Sequence, residues 1–523
     1  MTEFATPHPR SPAKAGAQTG HPPSRVNILW LAALAILYVT LALLRPVDHD
    51  ESQYVAATVL TAHGLLPYRD FAYLQTPLQP VLFAPIALFA GTLTWPALRL
   101  TNALLGLAAV AFVHAAARRA GASPAIARTC AALFATTDIL LFSIGTARND
   151  ALPAACLAAA LWLIARTEHG RRTALAIGLL LAAATAAKIS YAFPAAAYGL
   201  YALAHPRHRP WLVALGALPV AAFVASTVTL SPEGFLFGTV HFPAAAPAEF
   251  YADRPWKLSL AAKLVDTLKF LALGAALPAT VLVVRAAIHR RRAAPFDLLA
   301  FAGLVAALLP VPTWRQYLLP MLAPLFVALA LLWQAAPPPR GWRIALGMFA
   351  LLGLTPTIAA LLEPGRLSLA SALREAAILR ATLDAHRITG PIVTLSPEIL
   401  PATGRLPDAR FAAGPFYFRS RTLLDAAAER RLHVIGRDRM HFAPGTPILT
   451  GAENAATAGD PALDAALAAA GGRAIPVPGT RFRLYLTPPA AASPPAAPHN
   501  SRPVPPHARG RTGHAPPPPP PRA

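Results

Sequence analysis

Apolar runs of about 18 or more residues, each long enough to cross a hydrocarbon layer roughly 30 Å thick, recur along the first two thirds of the chain. Short polar or basic segments separate them. The first run covers 26–44, and Arg10, Lys14 and Arg25 precede it. Because basic segments stay on the cytoplasmic side, this helix is predicted to begin inside and end outside. The pattern predicts a polytopic α-helical membrane protein.

The segment 78–95 is apolar but contains Pro80, Pro85 and Gly91, and each proline removes a backbone hydrogen-bond donor. If this segment spanned the membrane, the basic loops that follow it would lie outside. If it lies along the outer interface, those loops all lie inside, as the positive-inside rule requires. We therefore predict interfacial helices in the first outer loop.

The remaining apolar runs predict ten further spanning helices, at 97–117, 127–145, 151–165, 173–187, 190–204, 211–229, 268–285, 297–311, 317–334 and 344–362. Together with the first helix they make about eleven. An odd number of crossings places the residues after 362 on the outer side.

The chain divides into four parts. The transmembrane domain is predicted at 26–362, and the tails 1–25 and 488–523 are polar or proline-rich, a composition typical of disorder. Residues 363–487 lack long apolar runs but contain a helical stretch at 367–386, a strand-like 391–395 and an alternating 481–486. This part is predicted to be a small soluble α/β domain on the periplasmic side.

Composition narrows the class of protein. The 523 residues are 55% hydrophobic and only 13% charged, with a mean hydropathy of +0.46, which excludes an ordinary soluble enzyme. The net charge of +22 lies largely in loops between apolar runs, so it indicates membrane topology and not nucleic-acid binding. Cys130 and Cys156 lie in apolar segments and support neither a disulfide framework nor a metal site.

The acids of the chain suggest a reactive site. Segment 48–54 contains Asp50 and Glu51 directly after the first helix, and Asp150 follows a later helix on the same predicted face. Two carboxylates at one water-filled opening are typical of acid–base or cation-assisted chemistry. Helix capping by Asp50 and Asp150 is the alternative, since both residues precede helical segments.

Some cations at the predicted outer side break the positive-inside pattern. Lys188 and Arg315 are predicted at the outer ends of helices, where they either bind an anionic head group or extend to the interface. The loop 231–257 contains His241 among aromatic residues and is interpreted either as an interfacial aromatic belt or as an acceptor loop. No recognised ligand spacing accompanies His241.

The order of these features resembles the integral-membrane GT-C glycosyltransferases. It is most similar to the family 39 and aminoarabinose-transferase-like branch, which includes Rgt-type enzymes. The resemblance covers roughly 26–335. The matching features are Asp50-Glu51 with Tyr54, the segment 64–71, Arg148-Asn149-Asp150, Lys188 and Tyr317-Leu318-Leu319-Pro320.

The resemblance implies an inverting transfer of sugar from a polyprenyl-phosphate donor to a hydroxyl of a glycan, lipid or protein at the periplasmic face of a bacterial inner membrane. Asp50 would be the general base, and no cofactor or catalytic metal is expected. The catalytic residues implied are Asp50, Glu51 and Asp150; the donor phosphate would be bound by Lys188, Arg315 and Arg69; the substrate cavity would contain Tyr54, Tyr68, Tyr317 and His241.

Two other functions stay open. A secondary transporter or flippase would be expected to contain inverted repeats with ionisable residues near mid-membrane, whereas here the acids and unusual cations gather at one face. A non-catalytic membrane scaffold would use Asp50 and Asp150 only as helix caps.

Overall fold

The computed structural model describes residues 25–289, 294–363, 367–420, 423–436, 439–440, 442–451, 461–469 and 472–486. The predicted tails 1–25 and 488–523 lie outside the described residues, apart from Arg25. The chain is mostly helical up to residue 363, and a small sheet follows.

The helices of the first part are α1 (Arg25–Leu44), α2 (Glu51–Ala62), α3 (Leu78–Ala90), α4 (Thr94–Arg119), α5 (Pro124–Ala135), α6 (Asp138–Ile144), α7 (Ala151–Ile164), α8 (Arg171–Ala187), α9 (Ala192–Ala204), α10 (Pro210–Leu230), α11 (Pro232–Leu236), α12 (Phe242–Phe250), α13 (Leu260–Ala272), α14 (Ala276–His289), α15 (Pro295–Leu308), α16 (Leu319–Ala335), α17 (Arg340–Leu352) and α18 (Thr355–Leu362).

Among the described residues, four helical runs are long and apolar enough to cross a membrane: Leu78–Arg119, Pro206–Leu230, Arg315–Ala335 and Arg340–Leu362. Two bent helix pairs raise the number to six if each pair is one span. Several shorter apolar helices pack among them. The predicted polytopic architecture is therefore present, and the total of eleven crossings stays a prediction.

The runs 127–145 and 268–285 were each predicted to be one continuous helix, and this is wrong. The structure breaks the first between α5 and α6 with a bend of 66°, and the second between α13 and α14 with a bend of 101°. Gly274 has φ +135°, and a Cβ there would lie 2.9 Å from the Thr137 Cα. The Asp138 N–H donates to the Leu273 carbonyl at 3.0 Å. The two breaks pack together, and only glycine allows this close approach.

The helices α2 and α3 lie between the first helix and α4. Gly91 has φ +52° and separates α3 from α4. Helix α3 packs against both α2 and α4. These are the helices that the sequence predicted at the interface, and their position relative to a membrane stays a prediction.

The second part contains α19 (Leu369–Ala385), α20 (Leu400–Thr403), α21 (Pro415–Arg419), α22 (Ala426–Arg431), α23 (Pro461–Ala469), β1 (Val393–Thr394), β2 (Pro447–Thr450), β3 (Arg473–Pro476) and β4 (Arg483–Leu486). The sheet order is β1-β2-β4-β3, with β1 parallel to β2 and the other pairs antiparallel. Helix α19, β1 and β4 lie where the sequence predicted a helix and two strands. Helix α19 packs against α1, and α20 packs against α4, so this part packs against the helices of the first part.

Candidate active site

Five charged side chains meet where α1, α6 and α8 end and where α2 and α7 begin. We call them the charged cluster: Asp48, Asp50, Arg148, Asp150 and Lys188. Arg148 is its centre. Its Nε donates to Asp150 Oδ2 at 3.0 Å, and its Nη1 donates to Asp50 Oδ2 and, at 3.4 Å, to Asp48 Oδ1.

The backbone of the buried segment 145–150 positions Arg148. The Asn102 Nδ2 donates to the carbonyls of Thr146 and Arg148, both at 2.7 Å. The Asn149 Nδ2 donates to Gln75 Oε1 and to the Ala187 carbonyl, both at 3.2 Å. Side-chain amides thus take the place of regular secondary structure here and satisfy the buried backbone.

Asp50 and Asp150 occupy the N-cap positions of α2 and α7, but neither side chain accepts a hydrogen bond from a helix N–H. Both carboxylates instead accept from cations of the charged cluster. Asp50 and Asp150 therefore stand at the start of a helix without capping it, and the structure does not support the capping interpretation.

Electrostatics keep Asp50 ionised. Burial alone would raise the pKa of the Asp50 carboxyl, but the Arg148 guanidinium and then His49 hold that pKa well below its usual range. Burial alone would lower the pKa of Arg148, and the carboxylates of Asp50 and Asp150 raise it well above its usual range. At neutral pH the pair is an ion pair.

His49 forms the outer edge of the site. Its Nε2 lies 2.9 Å from Asp50 Oδ1, and its side chain is 44% exposed against 17% for Asp50. Asp48, His49 and Asp50 bring three metal-ligand atoms within 4.8 Å of one another. A metal ion there would have to displace Arg148, which already donates to both carboxylates. The absence of a catalytic metal stays a prediction.

Lys188 ends α8 and is only 7% exposed. Its Nζ donates to Asp150 Oδ1 and lies 5.8 Å from the centre of the Tyr317 ring. Burial, opposed by the Asp150 carboxylate, lowers its pKa. Lys188 thus points into the protein toward Asp150, which is the opposite of the interfacial extension considered from the sequence.

Arg315 is also paired. Its Nη1 lies 3.0 Å from Asp138 Oδ2, and its side chain is 26% exposed while Asp138 is fully buried. The guanidinium carbon lies 3.6 Å from the centre of the Phe142 ring. Since the Arg148 guanidinium lies over the same ring at 5.0 Å, Arg315 adjoins the charged cluster.

Glu51 lies apart from these groups, in a closed pair with Arg99 in which both side chains are fully buried. Its Oε2 accepts from Arg99 Nε at 2.7 Å, from Trp95 Nε1 at 2.8 Å and from the Ala147 N–H at 2.9 Å. Oε1 accepts from the Asp48 N–H at 2.9 Å. Both oxygens are enclosed by protein donors, which is the environment of a structural ion pair.

The predicted aromatic residues divide into two groups. Tyr54 is buried and Tyr317 is half-buried near the charged cluster, where the charges of Asp50, Arg148 and Asp150 act on both rings. Tyr68 is also buried, and its hydroxyl donates to the Gln75 carbonyl.

Two predicted site residues are exposed and lie outside the described contacts of the charged cluster. The Arg69 side chain is 48% exposed and pairs with the adjacent Asp70 at 2.7 Å. His241 is exposed at the end of a π-helical turn, Phe237–His241.

The sequence prediction missed Arg148, although it identified the three-residue segment that contains it. The signal was present. Like Lys188 and Arg315, Arg148 is a cation at the predicted outer side, where the positive-inside rule expects few.

Two solved structures share this fold over almost the whole chain. ArnT from Cupriavidus metallidurans bound to undecaprenyl phosphate matches with a TM-score of 0.59 and 13% identity, covering 90% of this chain and 100% of that one. The same protein in the apo state matches with a TM-score of 0.50 and 15% identity, covering 89% and 99%. No family model and no curated protein matches the sequence. ArnT is a GT-C glycosyltransferase, so the GT-C membrane fold predicted from the sequence is confirmed.

Proposed function

We propose that this protein is a glycosyltransferase that moves a sugar from a polyprenyl-phosphate donor to a hydroxyl of a glycan, lipid or protein acceptor at the periplasmic face. The observation that carries the proposal is a chain of ion pairs, in which Arg148 contacts both Asp50 and Asp150, and Asp150 also contacts Lys188. A base and two buried cations therefore lie together in a fold shared with ArnT. One of the ArnT structures contains undecaprenyl phosphate, the ligand class that the proposal requires.

In the proposed reaction the acceptor oxygen attacks the anomeric carbon of the donor sugar while its proton passes to the Asp50 carboxylate. A new carbon–oxygen bond forms, and the bond between the anomeric carbon and the phosphate oxygen breaks. The polyprenyl phosphate leaves with the electron pair. Because the attack comes from the face opposite to the leaving group, this single displacement inverts the anomeric centre.

The two cations stabilise the leaving phosphate. Arg148 offers a guanidinium fork that fits a phosphate, and Lys188 offers a compact charge. Both side chains are nearly enclosed, at 3% and 7% exposed. Charges act more strongly on a ligand in such a low-dielectric place than they do in water. Asp150 bonds to both cations and is the residue that positions them.

Arg148 also links donor binding to the strength of the base. Paired with Arg148, Asp50 has a depressed pKa and is a weak base. A donor phosphate that draws the guanidinium toward itself leaves Asp50 less neutralised, which raises the affinity of Asp50 for the acceptor proton. Glu51 takes no part in this step, since Arg99, Trp95 and backbone N–H groups occupy both its oxygens. We assign Glu51 a structural role in place of the catalytic one expected from the sequence.

The test is transfer of radiolabelled sugar from membrane polyprenyl-phosphate pools to endogenous acceptors, with Asp50→Asn compared with wild type at matched expression. Transfer should fall at least about 100-fold, the usual contribution of a general base. Asp384→Asn is the control, because this acid is 54% exposed and lies in α19. Equal transfer by Asp50→Asn and wild type would remove Asp50 as the base. No transfer by wild type with any sugar would favour the transporter.

A further inference from the structure

Three guanidinium groups converge on the ring of Phe142, a buried residue of α6. The guanidinium carbons of Arg315, Arg148 and Arg45 lie 3.6 Å, 5.0 Å and 5.1 Å from the ring centre. Each distance is within the range in which the negative face of an aromatic ring attracts a cation. The ring thus holds together three groups that repel one another.

Arg45 differs from the other two in its partners. Its Nη1 donates to the Leu141 carbonyl at 3.1 Å and to Thr357 Oγ1 at 3.5 Å. Among the described residues no carboxylate forms an ion pair with it, although the residue is only 5% exposed. A buried charge without a carboxylate partner is costly, so the position of Arg45 calls for an anion that comes from elsewhere.

Arg45 also removes a net negative charge from the surroundings of the ring. Without Arg45, the three cations of this region face four carboxylates, a net negative charge that repels a phosphate. Arg45 makes the two signs equal. The groups counted are Arg148, Lys188 and Arg315 against Asp48, Asp50, Asp138 and Asp150.

Arg45 keeps its charge at neutral pH. Burial, and after it the Arg315 guanidinium, lower the pKa of Arg45 to about 10, with Asp138 and Asp48 acting in the opposite direction. The chain also makes room for its side chain at Gly145, where a Cβ would lie 2.8 Å from the Arg45 Cδ.

We propose that Arg45 and Phe142 complete the phosphate site of the lipid ligand, with Arg45 binding the phosphate beside Arg148 and Arg315, and Phe142 positioning the three guanidinium groups. The inference rests on the proposed function only for the identity of the ligand. A phosphate on a polyprenyl chain and free phosphate share the chemistry that the site recognises, and the experiment separates the two.

The experiment compares the dissociation constants of undecaprenyl phosphate and undecaprenol for the full-length protein in detergent. The two lipids differ only in the phosphate. The ratio of the undecaprenol dissociation constant to the undecaprenyl phosphate dissociation constant therefore isolates the contribution of the phosphate. Loss of a charged hydrogen bond predicts that Arg45→Gln lowers the ratio about 10- to 100-fold. Gly145→Ala, which displaces Arg45 without removing a charge, should lower it too. Phe142→Leu should lower it and Phe142→Tyr should keep it.

The control is Arg343→Gln, which removes an exposed arginine of α17 and should leave the ratio unchanged. Unaltered undecaprenol binding shows that each variant is folded, and if Arg45→Gln does not fold, Gly145→Ala and Phe142→Leu decide. Displacement of undecaprenyl phosphate by inorganic phosphate in wild type, and not in Arg45→Gln, would show that the site takes the free ion as well. If inorganic phosphate displaces nothing from wild type while the variants still lower the ratio, the site binds the phosphate only when it is attached to the lipid.

The inference is overturned if the variants bind undecaprenol normally and keep the wild-type ratio. If wild type transfers sugar in that case, the proposed function stands and only the role of Arg45 fails. If wild type neither prefers undecaprenyl phosphate to undecaprenol nor transfers sugar, both proposals fail together.

Discussion

Asp50 and Glu51 are neighbours in the sequence, and each forms an ion pair with an arginine more than forty positions away. The pair Glu51–Arg99 is closed. Neither side chain is exposed, and Arg99 also donates to the backbone carbonyls of Ala42, Arg45 and Pro46 at 3.0, 2.8 and 3.2 Å. It thereby ties the end of α1 to the start of α2 and to α4.

The pair Asp50–Arg148 is open and shared. Asp50 is 17% exposed, and its other oxygen faces His49, which is 44% exposed. Arg148 divides its donors among three carboxylates and satisfies none of them alone. Water and a substrate can therefore reach one side of this pair.

The closed pair is suited to stabilising the fold, and the open pair is suited to exchanging partners. In the closed pair every donor has its acceptor, so any change of partner leaves a buried charge unpaired. In the charged cluster one cation serves several carboxylates, so an incoming anion can take a share of it without leaving any group alone. Under the proposed function, the same two residue types thus serve stability at one position and chemistry at the next.

Breaking the closed pair should have the largest effect. Glu51→Gln leaves the Arg99 charge buried without a counter-charge, and removal of one partner of a buried pair lowers the free energy of unfolding by about 3–5 kcal/mol. The measurement is the thermal unfolding temperature and folded yield in detergent, with Asp384→Asn as control. Activity per folded molecule should stay near that of wild type.

Two results would contradict this reading of Glu51. A variant as stable as Asp384→Asn would show that the pair does not hold the fold. A fully folded Glu51→Gln that transfers no sugar would restore the catalytic role that the sequence suggested.

A change in the charged cluster should lower the rate of transfer and leave the stability of the protein nearly unchanged. Lys188→Gln removes one of the cations proposed to stabilise the leaving phosphate, and loss of such a stabilising group costs about 10²–10³-fold in rate. Stability should change little, because Asp150 still accepts from Arg148 at 3.0 Å. Single-turnover transfer with bound donor measures the rate, and Lys269→Gln, which removes a lysine 52% exposed, is the matched control. A normal rate in Lys188→Gln would place the phosphate away from this side of the cluster.

The sequence could single out Asp50, Asp150 and Lys188, which lie in one cluster in the structure, because acids and outer cations are rare in an apolar chain. It could not separate Asp50 from Glu51, since helix periodicity does not say which of two adjacent carboxylates meets a buried arginine. Arg99 lies inside a long apolar run, so its pairing across 48 positions has no local signal. Arg45 carries the same signal as Arg148, a cation at the predicted outer end of a helix, whereas Phe142 looks like an ordinary apolar residue.

The fold shows the same limit. Apolar runs predicted the helices, but a hydropathy window averages over a break. The bends after α5 and α13 depend on contacts between distant segments, such as Gly274 against Thr137. A single glycine in a helical pattern is too common to predict a bend of 101°.

A smaller effect is expected from His49, whose pairing with Asp50 can be tested through the pH dependence of stability. Burial alone would lower the pKa of His49, but Asp50, and then Asp48, raise it above its usual value. A raised folded-state pKa stabilises the protein below the unfolded value of about 6.5, and the contribution is lost as the pH rises through the folded pKa. His49→Gln should therefore lower the unfolding temperature more in mildly acidic than in alkaline buffer, with His386→Gln, which removes an exposed histidine, as the matched control. Equal shifts at both pH values would mean that the pairing of His49 with Asp50 does not contribute.

The smallest effect is expected at Arg69, which the sequence assigned to the donor phosphate. Its guanidinium is 48% exposed and bonds to the adjacent Asp70, and no described contact joins it to the charged cluster. Arg69→Gln should therefore leave the KM for the lipid donor within about 3-fold of wild type, since a surface substitution away from a site usually has a small effect. Steady-state transfer with Arg431→Gln as control, another exposed arginine paired with an acid, measures this. A tenfold rise in KM for Arg69→Gln alone would show that the loop before α3 folds over the donor, and that the phosphate site extends beyond the buried cluster to the solvent-exposed side of the molecule.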